Sequence, residues 1–328
     1  KFTVASYNAD AYCTNDGKQT VENKGEPDEY MRGCPAGDRV GWKEAMQTFV
    51  KSGKKWDIVG LQEMRPIHLS DSDILYFKKF MKDEHGIDYD CRTHPSLTSG
   101  NINAFCSIYP IVDGSIMTIK QERSYVDCAK VKTPAGEIIF CNAHPYYQAA
   151  VALFKEMETW ILNDVVNAYI PPNLDSKLKE VYRRTLFARI SLVGDMNAVQ
   201  SQIAGKFQTT CKSPGDASGI DHVMTLDLQR QDISGVAPFN SPFLIPAENG
   251  CKTMVEKWPT DHGGPVVAEF TTKGIYLNQN GELISPLTPT PQVSQVINPS
   301  VTPEGLVDII NADLDESGEV DITDFALF

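Results

Sequence analysis

Asn8, Glu63 with Arg65, His144, Asp195 with Asn197, Asp221, and Asp261 with His262 each stand where an apolar run stops or starts. Their types make a coherent set. Glutamate and aspartate are hard oxygen donors suited to Mg2+ or Mn2+. A histidine beside a buried acid makes a general base. Asparagine amides and a second histidine can donate hydrogen bonds to a crowded phosphoryl oxygen. Singly, each is also the residue type that commonly caps a strand or begins a turn. They become a site only if one fold carries these strand ends to a common rim.

The elements that would do so can be read in order. Phe2 to Tyr7 alternates as a short strand and hands over to Asn8. Asp57-Ile-Val-Gly-Leu is a buried strand ending in Gln62-Glu63-Met64-Arg65. Further strands are expected over 104–109 and 115–120. A hairpin is expected in which 126–132 and 137–142 flank Thr133-Pro-Ala-Gly136, and its second strand delivers His144. Ile190-Ser-Leu-Val-Gly-Asp195 reads as a core strand. Gly219-Ile-Asp221 enters another, and Thr260-Asp261-His262-Gly-Gly-Pro feeds the last, to Phe270. Apolar residues at helical spacing predict helices over 40–51, from Ser70 or Asp71 to about 84, and over 149–170, the last closed by Pro171-Pro172. In the second of these Ile74, Leu75, Phe77, Phe80 and Met81 form the inner stripe. The polar stretch 11–38 reads as a loop. Helices alternating with short strands and hairpins predict a mixed α/β sandwich with helices outside.

The 328 residues are 41% apolar and 22% charged, a globular composition, and no apolar run approaches a membrane span. A net charge of −13 argues against broad electrostatic binding to nucleic acid. It leaves room for a nuclease, because carboxylates holding a cation can work on a polyanion. The eight cysteines contain no CxxC pair and suit disulfides better than zinc, which favours an exported protein. The hairpin register sets Cys128 opposite Cys141, as a bridge or as two buried thiols; the other pairings stay open. Lys1 runs directly into the first core strand, so an exported form would be the mature one. His68, His85, His94 and His222 have no motif around them and read as surface or core histidines.

Ser6-Tyr7-Asn8, Gly60-Leu-Gln-Glu63, Asn142-Ala-His144, Gly194-Asp195-Met-Asn197, Ile220-Asp221-His-Val and Thr260-Asp261-His262-Gly-Gly-Pro-Val occur in that order across residues 1–272. They resemble the ordered motifs of the endonuclease/exonuclease/phosphatase superfamily. The resemblance implies a four-layer sandwich of two mixed β-sheets flanked by helices. It implies Glu63 as principal metal ligand, with Asn8 beside it and Asp261 as a further ligand. It implies that Asp221 orients His262, and that this pair activates a water. Asp195 and Asn197 would position nucleophile and phosphate, and His144 would bond the phosphoryl oxygens or assist the leaving group. Arg65 resembles an arginine that lies in the DNA groove of secreted deoxyribonucleases, and Arg123 one that contacts backbone phosphate there. Against that branch, Asn103 to Ile111 resembles a Tyr-Pro-Ile strand of the lipid- and sugar-phosphate branches. No position matches the acid that partners the first histidine in pancreatic-type enzymes.

After Thr272 the composition changes, giving a Pro/Thr/Ser-rich linker over 273–303 and a small unit over 304–328. Asp313, Asp315, Ser317, Glu319, Asp321 and Asp324 fit a twelve-position calcium loop with Gly318 at the tight turn. Aspartate at the twelfth place resembles a dockerin repeat, which implies Ca2+, a cohesin partner and a secreting bacterium. Dockerins carry two repeats, and one is present here. The expectation is a secreted metal-dependent phosphodiesterase, most simply a nuclease on DNA or RNA. The alternatives are a phosphatase or phospholipase C-like enzyme of the same fold, and a non-catalytic scaffold-binding module.

Overall fold

The structure is a computed structural model that describes residues 1–8, 56–64, 73–93, 102–121, 124–133, 136–213, 219–226, 244–253, 265–272, 276–277 and 283–284. The helix expected over 40–51, Cys13, Cys34, Arg65, Arg123, Asp261, His262 and the calcium-loop residues of 313–324 lie outside the described residues.

The described chain begins with strands β1 (Phe2–Asn8) and β2 (Ile58–Met64), helix α1 (Asp73–His85), and strands β3 (Asp90–Arg92) and β4 (Ile102–Ser107). Strands β5 (Met117–Gln121), β6 (Ser124–Thr133) and β7 (Gly136–His144) follow. Helices α2 (Ala150–Trp160), α3 (Val166–Tyr169) and α4 (Ser176–Phe187) come next. Then come β8 (Ile190–Asp195), β9 (Phe207–Lys212), β10 (Asp221–Leu226), β11 (Leu244–Thr253) and β12 (Val266–Thr272). The short strands β13 (Tyr276–Leu277) and β14 (Leu283–Ile284) close the set.

Two six-stranded mixed sheets result, ordered β11-β12-β1-β2-β4-β3 and β5-β6-β7-β8-β10-β9. Each has one parallel pair at its centre, β1 with β2 and β7 with β8, and is otherwise antiparallel. Alternation in β1 explains the layering. Phe2 and Val4 join Ile58, Phe105, Phe140 and Leu192 in the core between the sheets, while Ala5 and Tyr7 face a second core beneath α1. On the outer side of the second sheet, Phe154 and Met157 of α2 and Leu186 and Phe187 of α4 extend the first core. The molecule is therefore four layers, helix on sheet on sheet on helix. Every residue of β8 and β10 is buried, as expected of strands covered on both faces. Each fully buried large apolar side chain contributes about 1.5–3 kcal/mol.

One buried amide ties the sheets together. Asn142 of β7 donates from Nδ2 to the carbonyls of Leu61 and Ala104, at 2.9 and 2.8 Å, and its Oδ1 accepts from Gln62 Nε2 at 2.6 Å. A Cβ on Gly60 would overlap Val193 and Asn142, so only glycine permits this close approach. The bridge fixes the height of one sheet against the other, and with it the height of their strand ends.

Cys128 and Cys141 pair across the β6–β7 hairpin and form a disulfide. Cys91–Cys106 joins β3 to β4, and Cys211–Cys251 ties the edge of the second sheet to the edge of the first. Leu75 corrects the inner stripe of α1. It is 44% exposed while Ile74, Phe77 and Met81 are buried, because it lies one residue round from the i, i+3, i+7 row they occupy. The helical pattern over 149–170 splits into α2, a π-helical turn at Ile161–Val165, and α3. α4 occupies a stretch that reads as a polar connector, and β13 pairs with β14 inside the 273–303 segment.

Candidate active site

The ends of β1, β2, β7 and β8 meet at one rim. Asn8 closes β1 and is buried. Glu63 lies near the end of β2, where the register against β4 shifts between Leu61 and Met64, and its φ of 57° is left-handed. That conformation is costly for a non-glycine residue and clusters at functional sites. Here the bulge turns a carboxylate towards its neighbours instead of continuing the strand alternation. His144 ends β7, and Asp195 ends β8 behind Gly194, whose φ is 152°. A Cβ at Gly194 would overlap the Ala143 carbonyl oxygen, so a glycine is needed where β8 runs beside β7.

These side chains form a ring of two acceptors and two donors. Asn8 Nδ2 donates to Glu63 Oε1 at 3.3 Å and to Asp195 Oδ2 at 3.0 Å. His144 Nε2 stands 3.5 Å from each of the same two oxygens. A carboxylate from each sheet is thus bracketed by an amide from the first sheet and an imidazole from the second. Asp195 is almost wholly enclosed, while Glu63 and His144 are about one-fifth exposed and open the ring to solvent. The acid partners of His144 are therefore Glu63 and Asp195, a pairing with no signature in sequence spacing.

The turn after Asp195 carries Asn197, with a φ of 48°. Its backbone N–H donates to Asp195 Oδ1 at 2.8 Å, and its side-chain Nδ2 donates to the Pro145 carbonyl at 3.0 Å. Asp221 opens β10 directly opposite Asp195 and is buried. Of the expected site residues, the structure brings Asn8, Glu63, His144 and Asp195 into mutual contact and sets Asn197 and Asp221 beside them. Asp261, His262, Arg65 and Arg123 lie outside the described residues.

A hard divalent cation fits the chemistry of this rim. Glu63 offers a partly exposed carboxylate, and Asn8, whose amide nitrogen bonds both acids, carries an amide oxygen of the hard type such a cation takes. Among the described residues no group of three or more His, Cys, Asp or Glu side chains is already arranged around a metal position. Sequence reasoning missed Gln62, whose amide bonds Asn142 and whose Oε1 faces Ser6 Oγ at 3.5 Å. Its signal was its place before Glu63 in the Gly60-Leu-Gln-Glu63 motif. It also missed Asp127 of β6, fully enclosed between the sheets with Thr118 donating to Oδ1 and, among the described residues, no partner at Oδ2. Burial pushes its carboxyl up to about 7, against the bond from Thr118.

No family model matches the sequence, and no curated protein matches it. Solved structures do. D. rerio TDP2 humanized by 14 mutations aligns over 83% of this chain and 99% of its own, at 12% identity and a TM-score of 0.49. The human Nocturnin catalytic domain with bound sulfate aligns over 83% and 93%, at 11% identity and 0.48. An endonuclease/exonuclease/phosphatase family protein from Bacteroides thetaiotaomicron aligns over 82% and 97%, at 18% identity and 0.44.

Proposed function

We propose that the rim is the active centre of a secreted, metal-dependent phosphoester hydrolase, and that its substrate is a nucleic-acid phosphodiester. One observation carries this reading: Asn8 and His144, from different sheets, converge on the same oxygens of Glu63 and Asp195. Two carboxylates held this close repel, and an amide N–H with an imidazole N–H offsets that repulsion only in part. Such a site is set to receive positive charge on one side and an anionic ester on the other.

Glu63 and Asn8, with Asp261, would hold Mg2+ or Mn2+, which when bound neutralises charge gathering on the phosphoryl group. The chain's own groups do the rest. Asp195, fixed by Asn8 and by the Asn197 amide, aims the attacking water. Asn197 steadies a phosphoryl oxygen. Asp221 orients His262, which takes the proton of that water. His144 donates from Nε2 to the phosphoryl group or the departing oxygen. Attack is in line, and displacement frees an alcohol and a phosphate monoester. Arg65 and Arg123 would hold flanking backbone phosphates.

Incubation with Mg2+ and plasmid DNA, and in parallel with sphingomyelin and inositol phosphates, tests the reading. Nicked plasmid that is lost in Asp195→Asn and His262→Ala supports it. Intact plasmid beside released phosphate or phosphocholine would reassign the enzyme to a small or lipid phosphoester. The three disulfides among the described residues support export. The acidic loop over 313–324 is proposed to bind Ca2+ and, completed by a second repeat, cohesin. Terbium luminescence that is abolished by Asp313→Ala tests the first step.

A further inference from the structure

His222 has no place in the chemistry above, yet it is fully buried with both ring nitrogens engaged. Nε2 lies 3.0 Å from the Ala198 carbonyl oxygen, and Nδ1 lies 3.2 Å from Thr209 Oγ1. A carbonyl can only accept, so Nε2 bears the proton, and in the neutral ring Nδ1 accepts from the threonine hydroxyl. Burial pushes the imidazole pKa down and keeps the ring neutral.

Ala198 closes the turn that begins at Asp195. The turn holds Asn197 in left-handed backbone, a conformation that persists where its surroundings enforce it. β10 and the residue before it supply that enforcement from both sides of Asp221. The Met196 N–H donates to the Ile220 carbonyl at 2.8 Å, and His222 reaches the Ala198 carbonyl two residues further along each chain. Asp221, between them, pairs with Asp195 itself.

We propose that His222 is a positioning residue: by donating Nε2–H to Ala198 it clasps the Asp195–Ala198 turn in the form that presents Asp195 and Asn197 to the phosphoester. The clasp rests on the functional reading above for its catalytic consequence, though not for its geometry. A histidine that merely fills core space would act through its volume, whereas a clasp acts through one donor at one reach. His222→Gln keeps an amide donor at about the reach of Nε2. His222→Asn ends near the position of Nδ1, where it can still meet Thr209 and cannot reach Ala198.

Amide hydrogen exchange on the full chain separates the two. In His222→Asn, exchange at Met196 and Asn197 is expected to rise about tenfold, the loss of one buried hydrogen bond, with β1 unaffected. In His222→Gln it is expected to stay at the wild-type rate. On bis(p-nitrophenyl) phosphate with Mg2+, kcat should fall between about tenfold and about a hundredfold in the Asn variant with KM unchanged, and Gln should restore it. Turn amides that loosen equally in both variants, or in neither, overturn the clasp. A wild type inactive on every phosphoester, with exchange as expected, removes the proposed activity and upholds the clasp. If the Asn variant fails to fold, imidazole nitrogen shifts of the wild type decide, with Nε2 protonated and Nδ1 bare expected, and the reverse tautomer overturning the proposal.

Discussion

The two sheets bring carboxylates to the same rim by different means. In the first sheet Glu63 itself takes the left-handed backbone, at a break in the pairing of β2 with β4. In the second sheet Gly194 takes the positive φ, and Asp195 follows in regular pairing with β10. Glycine adopts that region at little cost, whereas a glutamate there stores about 1–3 kcal/mol. Asp195 is accordingly enclosed, while Glu63 is held at its angle by Asn8 and His144. The carboxylate proposed to aim the water is built into regular pairing, and the one proposed to face a metal sits on left-handed backbone. On the role proposed for Glu63, cation binding would relieve part of that strain.

The sharpest way to break the second sheet's arrangement is Gly194→Ala. Its methyl overlaps the Ala143 carbonyl, so a loss of at least about 4 kcal/mol in urea unfolding is expected, or no folded protein. The tie between the sheets comes next. Cys211–Cys251 closes 40 residues, against 13 for Cys128–Cys141. Loop-closure entropy then predicts about 4 kcal/mol for removing the first with paired alanines and about 3 kcal/mol for the second. The first should also lower activity, since it lets the two halves of the rim slide.

Asp127 gives the second sheet a pH dependence. Its carboxyl is raised from 3.8 to about 7 by burial. Below about 4 both folded and unfolded chains hold the proton, and this group costs nothing. Between about 4 and about 7 the unfolded chain releases it while the folded chain keeps it, so stability falls as pH rises, by up to about 4 kcal/mol in total. Above about 7 the loss levels off. Asp127→Asn should flatten that slope in unfolding measured from pH 4 to pH 8. The smallest effect belongs to the first sheet, where Glu63→Gly relaxes the left-handed backbone. It should raise stability by about 1 kcal/mol while abolishing turnover.

Much of this architecture was legible because strands covered on both faces are apolar runs. β1, β2, β7, β8 and β10 could be placed, and with them Asn8, Glu63, His144, Asp195 and Asp221 at strand ends. Cys128 opposite Cys141 was legible because a short turn sets hairpin register. β9 was not, since Gln208, Thr209 and Thr210 make a polar edge strand that reads as a loop. α4 was hidden because Lys177, Lys179, Arg183 and Arg184 interrupt its apolar spacing. The backbone of Glu63, the enclosure of Asp127 and the clasp of His222 depend on groups distant in the chain, and no local pattern announces them. The parts proposed for His262, Asp261, Arg65 and Arg123 rest on the motif resemblance.

A double-mutant cycle across the sheets tests the shared centre most directly. Glu63→Gln, Asp195→Asn and the double variant would be compared by kcat/KM on plasmid DNA or bis(p-nitrophenyl) phosphate with Mg2+. Groups acting as one unit give single losses of about a thousandfold and a double variant scarcely worse than either. Losses that multiply, or a single variant that keeps wild-type turnover, would show that the two sheets do not share one active centre.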